Sequence, residues 1–188
     1  ICFLVFSLLF ASFAVSQENL ENERILENTC SVCGKGIFNS CDRNECEVIG
    51  ENCILGKNVY IDHDVKIGNN VKIQNNCSIY YGSEIEDGVF IGPHVCLTND
   101  KLPRAITQNG KLKNSRDWEV KKIIVEKGAS IGAGSLVLPG LVIGKFAMIG
   151  AGSVVTKDVP NYGLVYGNPA KFKGYVDKSG KRGNRNTK

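Results

Sequence analysis

The chain is 188 residues long with a formal net charge of +4, enough for one domain and its ends. The charge is unevenly placed: residues 171–188 hold Lys171, Lys173, Lys178, Lys181, Arg182, Arg185 and Lys188 against one acid, Asp177. No aromatics beyond Phe172 and Tyr175 interleave with these cations, so a solvated, disordered basic tail is expected and no nucleic-acid partner is assigned.

Residues 1–16 are almost wholly apolar and end in the small residues Ala14-Val15-Ser16. This pattern reads as a secretory signal peptide or as the end of a membrane anchor, since a span needs about 20 apolar residues. The stretch that follows carries four Glu and one Arg, too few positive charges to hold this flank in the cytoplasm. Export is therefore expected. The alternative is an anchor, contacting the membrane through residues 1–16, with the rest of the chain facing the cytoplasm. Within the polar segment 17–48, Cys30, Cys33, Cys41 and Cys46 are spaced C-x2-C-x7-C-x4-C. They read as a stapled cap, with two disulfides in an oxidising compartment or a four-thiolate zinc site in a reducing one. Cys53 is an alternative member of the set. A cap is what the end of a stacked repeat requires.

From residue 49 an aliphatic residue returns every six positions: Ile49, Leu55, Ile61, Ile67, Ile73, Ile79, Ile85, Ile91 and Leu97. A second run holds Val125, Ile131, Val137, Ile143, Ile149 and Val155. A helix needs a period near 3.6 and an open sheet a period of 2, so a strict six predicts neither. It predicts a parallel β-solenoid of three-sided coils, with equivalent residues stacked eighteen apart. Fifteen hexads make about five coils, an all-β fold over residues 49–170 whose buried aliphatics contribute roughly 1.5–3 kcal/mol each. Glycine often follows the aliphatic residue, as at Gly50, Gly56, Gly68 and Gly92. This fits corners where positive φ or close backbone approach is costly for other residues. The fifth position is small or β-branched, which places Cys53 and Cys77 in the core. The beat fails once, over 28 residues from Leu97 to Val125, so residues 98–124 leave the prism as an inserted loop. A loop this long inside a compact repeat is usually functional or disordered, and this one carries the only tryptophan, Trp118.

Residues 49–176 resemble the hexapeptide-repeat, left-handed β-helix acyltransferases. Within that family they are similar to the N-acetyltransferases of nucleotide-linked amino sugars. The specific stretches are EDGVFIGPHVCLTND followed by Pro103-Arg104, and VTKDVPNYGLVYGNPA; the hexapeptides alone are shared more widely. The resemblance implies a left-handed coil, a homotrimer and acetyl-CoA as co-substrate, lying in a groove between neighbouring prisms with no metal. It places Asn99 and Asp100 at the sugar amine, with Glu86 as a further catalytic candidate. Pro103 and Arg104 begin the loop that closes over the substrate. Gly132, Ala133, Gly150, Ala151 and Gly152 match positions where the pantetheine arm approaches backbone, and Lys157, Pro169, Ala170 and Lys171 match the nucleotide end of the cofactor.

The chemistry suits these residue types. An amine attacks a thioester carbonyl, and backbone N–H groups at small-residue corners can stabilise the charge that grows on its oxygen. Amide and carboxylate acceptors can aim the amine. Of the two histidines, His94 is the candidate base, with a surface corner residue as the alternative; His63 is expected to be solvated. A zinc hydratase built on the same repeat would need three protein ligands, which two histidines 31 residues apart do not supply. The competing function is a non-catalytic exported solenoid that acts as a binding module.

Overall fold

A computed structural model describes residues 48–183; the apolar segment 1–16 and Cys30, Cys33, Cys41 and Cys46 lie outside the described residues. The six-residue beat becomes fifteen two-residue strands. In chain order these are β1 (Val48–Ile49), β2 (Ile54–Leu55), β3 (Tyr60–Ile61), β4 (Lys66–Ile67), β5 (Lys72–Ile73), β6 (Ser78–Ile79), β7 (Glu84–Ile85) and β8 (Phe90–Ile91). They continue as β9 (Cys96–Leu97), β10 (Ile124–Val125), β11 (Ser130–Ile131), β12 (Leu136–Val137), β13 (Val142–Ile143), β14 (Met148–Ile149) and β15 (Val154–Val155). Every third strand pairs in parallel, which gives three faces: β1-β4-β7-β10-β13, then β2-β5-β8-β11-β14, then β3-β6-β9-β12-β15. We call these the first, second and third faces. Register is eighteen residues per coil, with Ile49 on Ile67 and Ile67 on Ile85. Each strand turns its first residue outward and its aliphatic second residue inward, and Ile73, Ile79, Ile91 and Leu97 are wholly buried.

The fifth-position residues close the core. Cys53 and Cys77 are fully buried, and each thiol donates to the carbonyl of a glycine one coil on, Gly68 at 3.1 Å and Gly92 at 3.0 Å. This excludes Cys53 from the cysteine cap. Burial pushes the thiols of Cys53, Cys77 and Cys96 above their ordinary range, so they are poor nucleophiles.

The corner glycines differ from the expectation in one respect. The residue directly after the aliphatic has an ordinary φ and is glycine because of close approach: a Cβ on Gly132 would stand 2.5 Å from the backbone nitrogen of Ala151. Positive φ falls two residues later, at Asn52, Asn58, Asp64, Asn70, Asn76 and His94 in the early coils and mostly at glycine in the late ones. Asn and Asp tolerate this left-handed conformation because their short polar side chains hydrogen-bond locally.

The inserted loop is shorter than the sequence indicates. Ile123 is already buried in the core and Ile124 pairs with Glu84, so register jumps from 18 residues to 40, an insertion of 22. The loop is an antiparallel arm. Asp100 bridges Val120 and Ile106 bridges Leu112, and a short 3-10 turn at Ser115–Asp117 is capped by Asn114. Its return is tied down by Lys122, whose ammonium meets Glu84 at 2.9 Å and holds that carboxyl below the usual range.

The expected disordered tail is not what residues 171–183 form. After β15 the chain makes β16 (Gly163–Tyr166), which begins a sixth coil on the second face. It then folds back as β17 (Lys171–Val176) and β18 (Arg182–Gly183), both antiparallel. Main-chain pairing and ring contacts outweigh the charge here. Lys173 lies 5.0 Å over the Tyr166 ring and Lys178 5.5 Å over Phe146. Asp177 closes the turn by accepting from Ser179 and Lys181.

Candidate active site

The site residues fall on three different corners of the prism. Asn99 and Asp100 follow β9, on the corner that leaves the third face, where the loop departs. Thr98 pins that exit by donating its hydroxyl to the Val137 carbonyl at 2.8 Å, and the Asn99 carbonyl accepts from Lys121 N–H at 3.1 Å. With both flanks of the loop fixed, Asn99 is held at 8% exposure. Its side-chain amide has no hydrogen-bond partner among the described residues, whereas buried polar groups normally have one. Asp100 is half-buried, and one of its carboxylate oxygens accepts from Leu102 N–H at 2.9 Å, so it shapes the loop's first turn. Pro103 and Arg104 are exposed on the outgoing limb of the arm, and Arg104 donates to the Pro103 carbonyl at 3.2 Å.

His94 sits elsewhere, at the turn that enters β9, on the corner between the second and third faces. It has φ +60° and its ring nitrogen Nε2 lies 3.5 Å from the Asn76 amide nitrogen. Asn76 in turn accepts from Asn58 at 3.1 Å. The three residues form a ladder up one edge, so within one chain His94 and Asn99 stand at opposite ends of β9. Glu86 stands on the remaining corner, between the first and second faces, where it accepts from Lys127 N–H at 2.9 Å. It is a coil-to-coil staple, as Asn69 is for Glu51 N–H at 2.7 Å. A groove lined by Lys66, Glu84, Glu86, Asp87 and Lys127 opens beside it, on the first face and away from Asn99.

The expected cofactor positions gather better. Below His94 on the same edge, the ladder loses its side chains at Gly134 and Gly152, where a Cβ would meet nothing within 4 Å. Ala133 and Ala151 flank these bare turns. Gly132 and Gly150 belong to coil packing, since a Cβ on Gly150 would stand 2.7 Å from Tyr166. The turn 167–170 closes against the same corner: Ala170 N–H donates to Val154 O at 2.8 Å and Val154 N–H to Gly167 O at 3.0 Å. Pro169, Ala170 and Lys171 therefore lie next to Gly152. Lys157 is one strand away, exposed on the corner after β15. Sequence reasoning missed Asn76 and Gly134; their offset of eighteen or forty residues from His94, as register requires, is the signal that finds them.

Two family models match the chain. Bacterial transferase hexapeptide (six repeats) matches residues 48–80 and 65–99, and Hexapeptide repeat of succinyl-transferase matches residues 122–157; neither reaches into the arm between 100 and 121. The chain is 51% identical, over 55 residues and 29% of each chain, to dTDP-3-amino-3,6-dideoxy-alpha-D-galactopyranose 3-N-acetyltransferase of Aneurinibacillus thermoaerophilus. Among solved structures it is similar to a maltose O-acetyltransferase from Clostridium difficile 630, with TM-score 0.61 and 27% identity over 69% of this chain and 70% of that one. It is also similar to a mutant GDP-perosamine N-acetyl transferase from Caulobacter crescentus in complex with CoA and GDP-perosamine, with TM-score 0.55 and 26% identity over 68% and 50%. The parallel solenoid is consistent with the left-handed β-helix. The chain spans 29%, 45% and 25% of the length of the three curated relatives it matches.

Proposed function

We propose that this chain, which belongs to the hexapeptide-repeat transferase family, is an acetyl-CoA-dependent N-acetyltransferase acting on the amino group of a nucleotide-linked sugar. The observation that carries the reading is Asn99: a nearly buried amide with no partner in its own chain, fixed at the root of the loop. Such a group is positioned to accept from, and aim, a substrate amine. The similarity to the dTDP-amino-sugar and GDP-perosamine N-acetyltransferases supports the substrate class.

In this reading the thioester of acetyl-CoA lies along the bare corner at Gly134 and Gly152, where backbone can be approached closely. The nucleotide end of the cofactor lies towards Pro169–Lys171. The amine held by Asn99 attacks the thioester carbonyl and gives a tetrahedral oxyanion; collapse forms the amide and expels the CoA thiolate. The ammonium formed on attack loses a proton to a base or to water, and the thiolate takes one up. Since Asn99 and the bare corner lie at opposite ends of the third face, the reading requires a homotrimer in which one copy's corner meets another's. His94 serves as base only across that interface.

Equilibrium titration of the full chain with acetyl-CoA tests this against the non-catalytic module. Saturable binding is expected of the enzyme; none would favour the module.

A further inference from the structure

Stacking the coils places every eighteenth residue in a column along the prism. On the Asn99 corner that column runs His63, Tyr81, Asn99, because Tyr60 pairs with Ser78 and Ser78 with Cys96 in unbroken register. Each step is one strand spacing, about 4.8 Å. Tyr81 is thus one coil from Asn99 and His63 two coils, about 10 Å, towards the N-terminal end. At the same turn position the other corners carry small or charged residues, such as Asn69, Asp87 and Lys127 on one and Asn75, Pro93 and Ala133 on the other. Among the described residues, rings occupy it only on the Asn99 corner.

The two rings are held in place. Their centroids are 4.5 Å apart with planes tilted by 37°. Tyr81 N–H donates to an Asp62 carboxylate oxygen at 3.2 Å, and Asp64 lies 3.3 Å from Nδ1 of His63. On the adjoining third face, Tyr60 and Tyr80 pair at 5.5 Å and are exposed. The fold has no need of these four rings, since the interior of the first coils is filled by Ile, Val and Cys. Below Tyr81, the side chain of Lys122 crosses the turn, its Cγ 3.5 Å from where a Cβ on Gly82 would stand.

We propose that this aromatic ledge, Tyr81 and His63 with Tyr60 and Tyr80 beside it, is the subsite for the heterocyclic base of a sugar nucleotide whose amine is held at Asn99. The substrate then lies along one edge of the prism. Its amino sugar is at the loop root, its diphosphate passes Lys122 and its base rests on the rings. Stacking on aromatic side chains is how proteins hold bases without reading every edge atom. The proposal rests on the nucleotide-sugar reading above and adds where the nucleotide lies.

Isothermal titration of the full chain with dTDP and with GDP tests it. The diphosphate that binds the wild type is expected to bind Tyr81→Ala at least about tenfold more weakly, within the range of one lost base-stacking contact. Tyr81→Phe should keep affinity within about threefold, because the ring face is what matters. Acetyl-CoA affinity should hold in both variants. Unchanged nucleotide affinity in a folded Tyr81→Ala protein overturns the ledge and leaves acetyl transfer standing. So does a wild type that binds acetyl-CoA and neither diphosphate. A wild type that binds none of the three overturns the transferase reading as well. If Tyr81→Ala does not fold, His63→Ala, with its half-exposed side chain, carries the same test: a weakening of at least about threefold supports the ledge and unchanged affinity removes it.

Discussion

The early coils and the late coils meet the same backbone demand in different ways. Each corner needs one residue at positive φ. Coils one and two use Asn52, Asn58, Asp64, Asn70 and Asn76, while the coils after the loop use Gly128, Gly134, Gly140 and Gly152, with Phe146 as the exception. The dihedral is alike, but the surface is not. Asn58 and Asn76 fill their corner and bond along it at 3.1 Å, whereas Gly134 and Gly152 leave theirs open. The first half of the prism is thereby stapled by side chains, and the second half offers bare backbone to a ligand. The loop and Asn99 stand at the border between the two. A repeat that looks uniform in sequence therefore has a scaffold half and a candidate cofactor half, distinguished by which residue supplies the turn.

The comparison can be tested at four places. Replacing Asn99 with Ala at the border should lower turnover about 100-fold, as expected when a positioned reactant is released, while the thermal melt stays near wild type; steady-state CoA release measures it. Gly132→Ala probes packing inside the open half. Its Cβ would meet the Ala151 nitrogen at 2.5 Å, so a stability loss of about 1–3 kcal/mol from overpacking is expected in denaturant unfolding. Gly152→Asn converts a late corner into an early one. Asn tolerates the left-handed turn, so stability should change little, but acetyl-CoA should bind about tenfold more weakly, a change of about 1.4 kcal/mol, by titration. An unchanged affinity would show that the open corner is not the cofactor's. The smallest effect is at the loop's tie. Glu84→Gln removes the ion pair with Lys122, and the cost should be about 0.2–1 kcal/mol, as for other exposed pairs. Because Lys122 holds the Glu84 carboxyl below its ordinary range, that stability is present above the ordinary carboxylate pKa and is lost as pH falls through the lowered one. The gap between wild type and variant should therefore close on acidification, which paired unfolding curves at neutral and acid pH would show.

Much of this was legible in the chain. The period of six gave the three faces, the eighteen-residue register and the burial of Cys53 and Cys77, because inward positions in a solenoid tolerate only apolar or small residues. The break after Leu97 located the loop to within two residues. The resemblance placed Asn99 at the loop root, and the structure puts it there, nearly buried.

What escaped the sequence depended on neighbours eighteen residues away. Glycine was read as relief at the residue after the aliphatic, yet there it answers to the next coil's backbone, while the unusual φ lies two residues on. Glu86 looked like a catalytic acid from its motif, but the Lys127 N–H one coil on already uses its carboxylate. His94 lies five residues from Asn99 in the chain, yet a whole strand separates their corners. His63 and Tyr81 were unremarkable in sequence until register aligned them with Asn99. The strands in 171–183 were hidden by their charge, which is +6 over residues 171–188 against −2 for the rest; Lys173 and Lys178 are held there by rings that belong to other segments.

The central claim is that this prism transfers acetyl groups to an amine on a nucleotide-linked sugar. The direct measurement is CoA thiol release from acetyl-CoA by the full chain against a panel of dTDP-, UDP- and GDP-linked amino sugars. The account predicts release that depends on one of these amines and on Asn99. Release that is absent across the panel, or equal with and without the amino sugar, would contradict it.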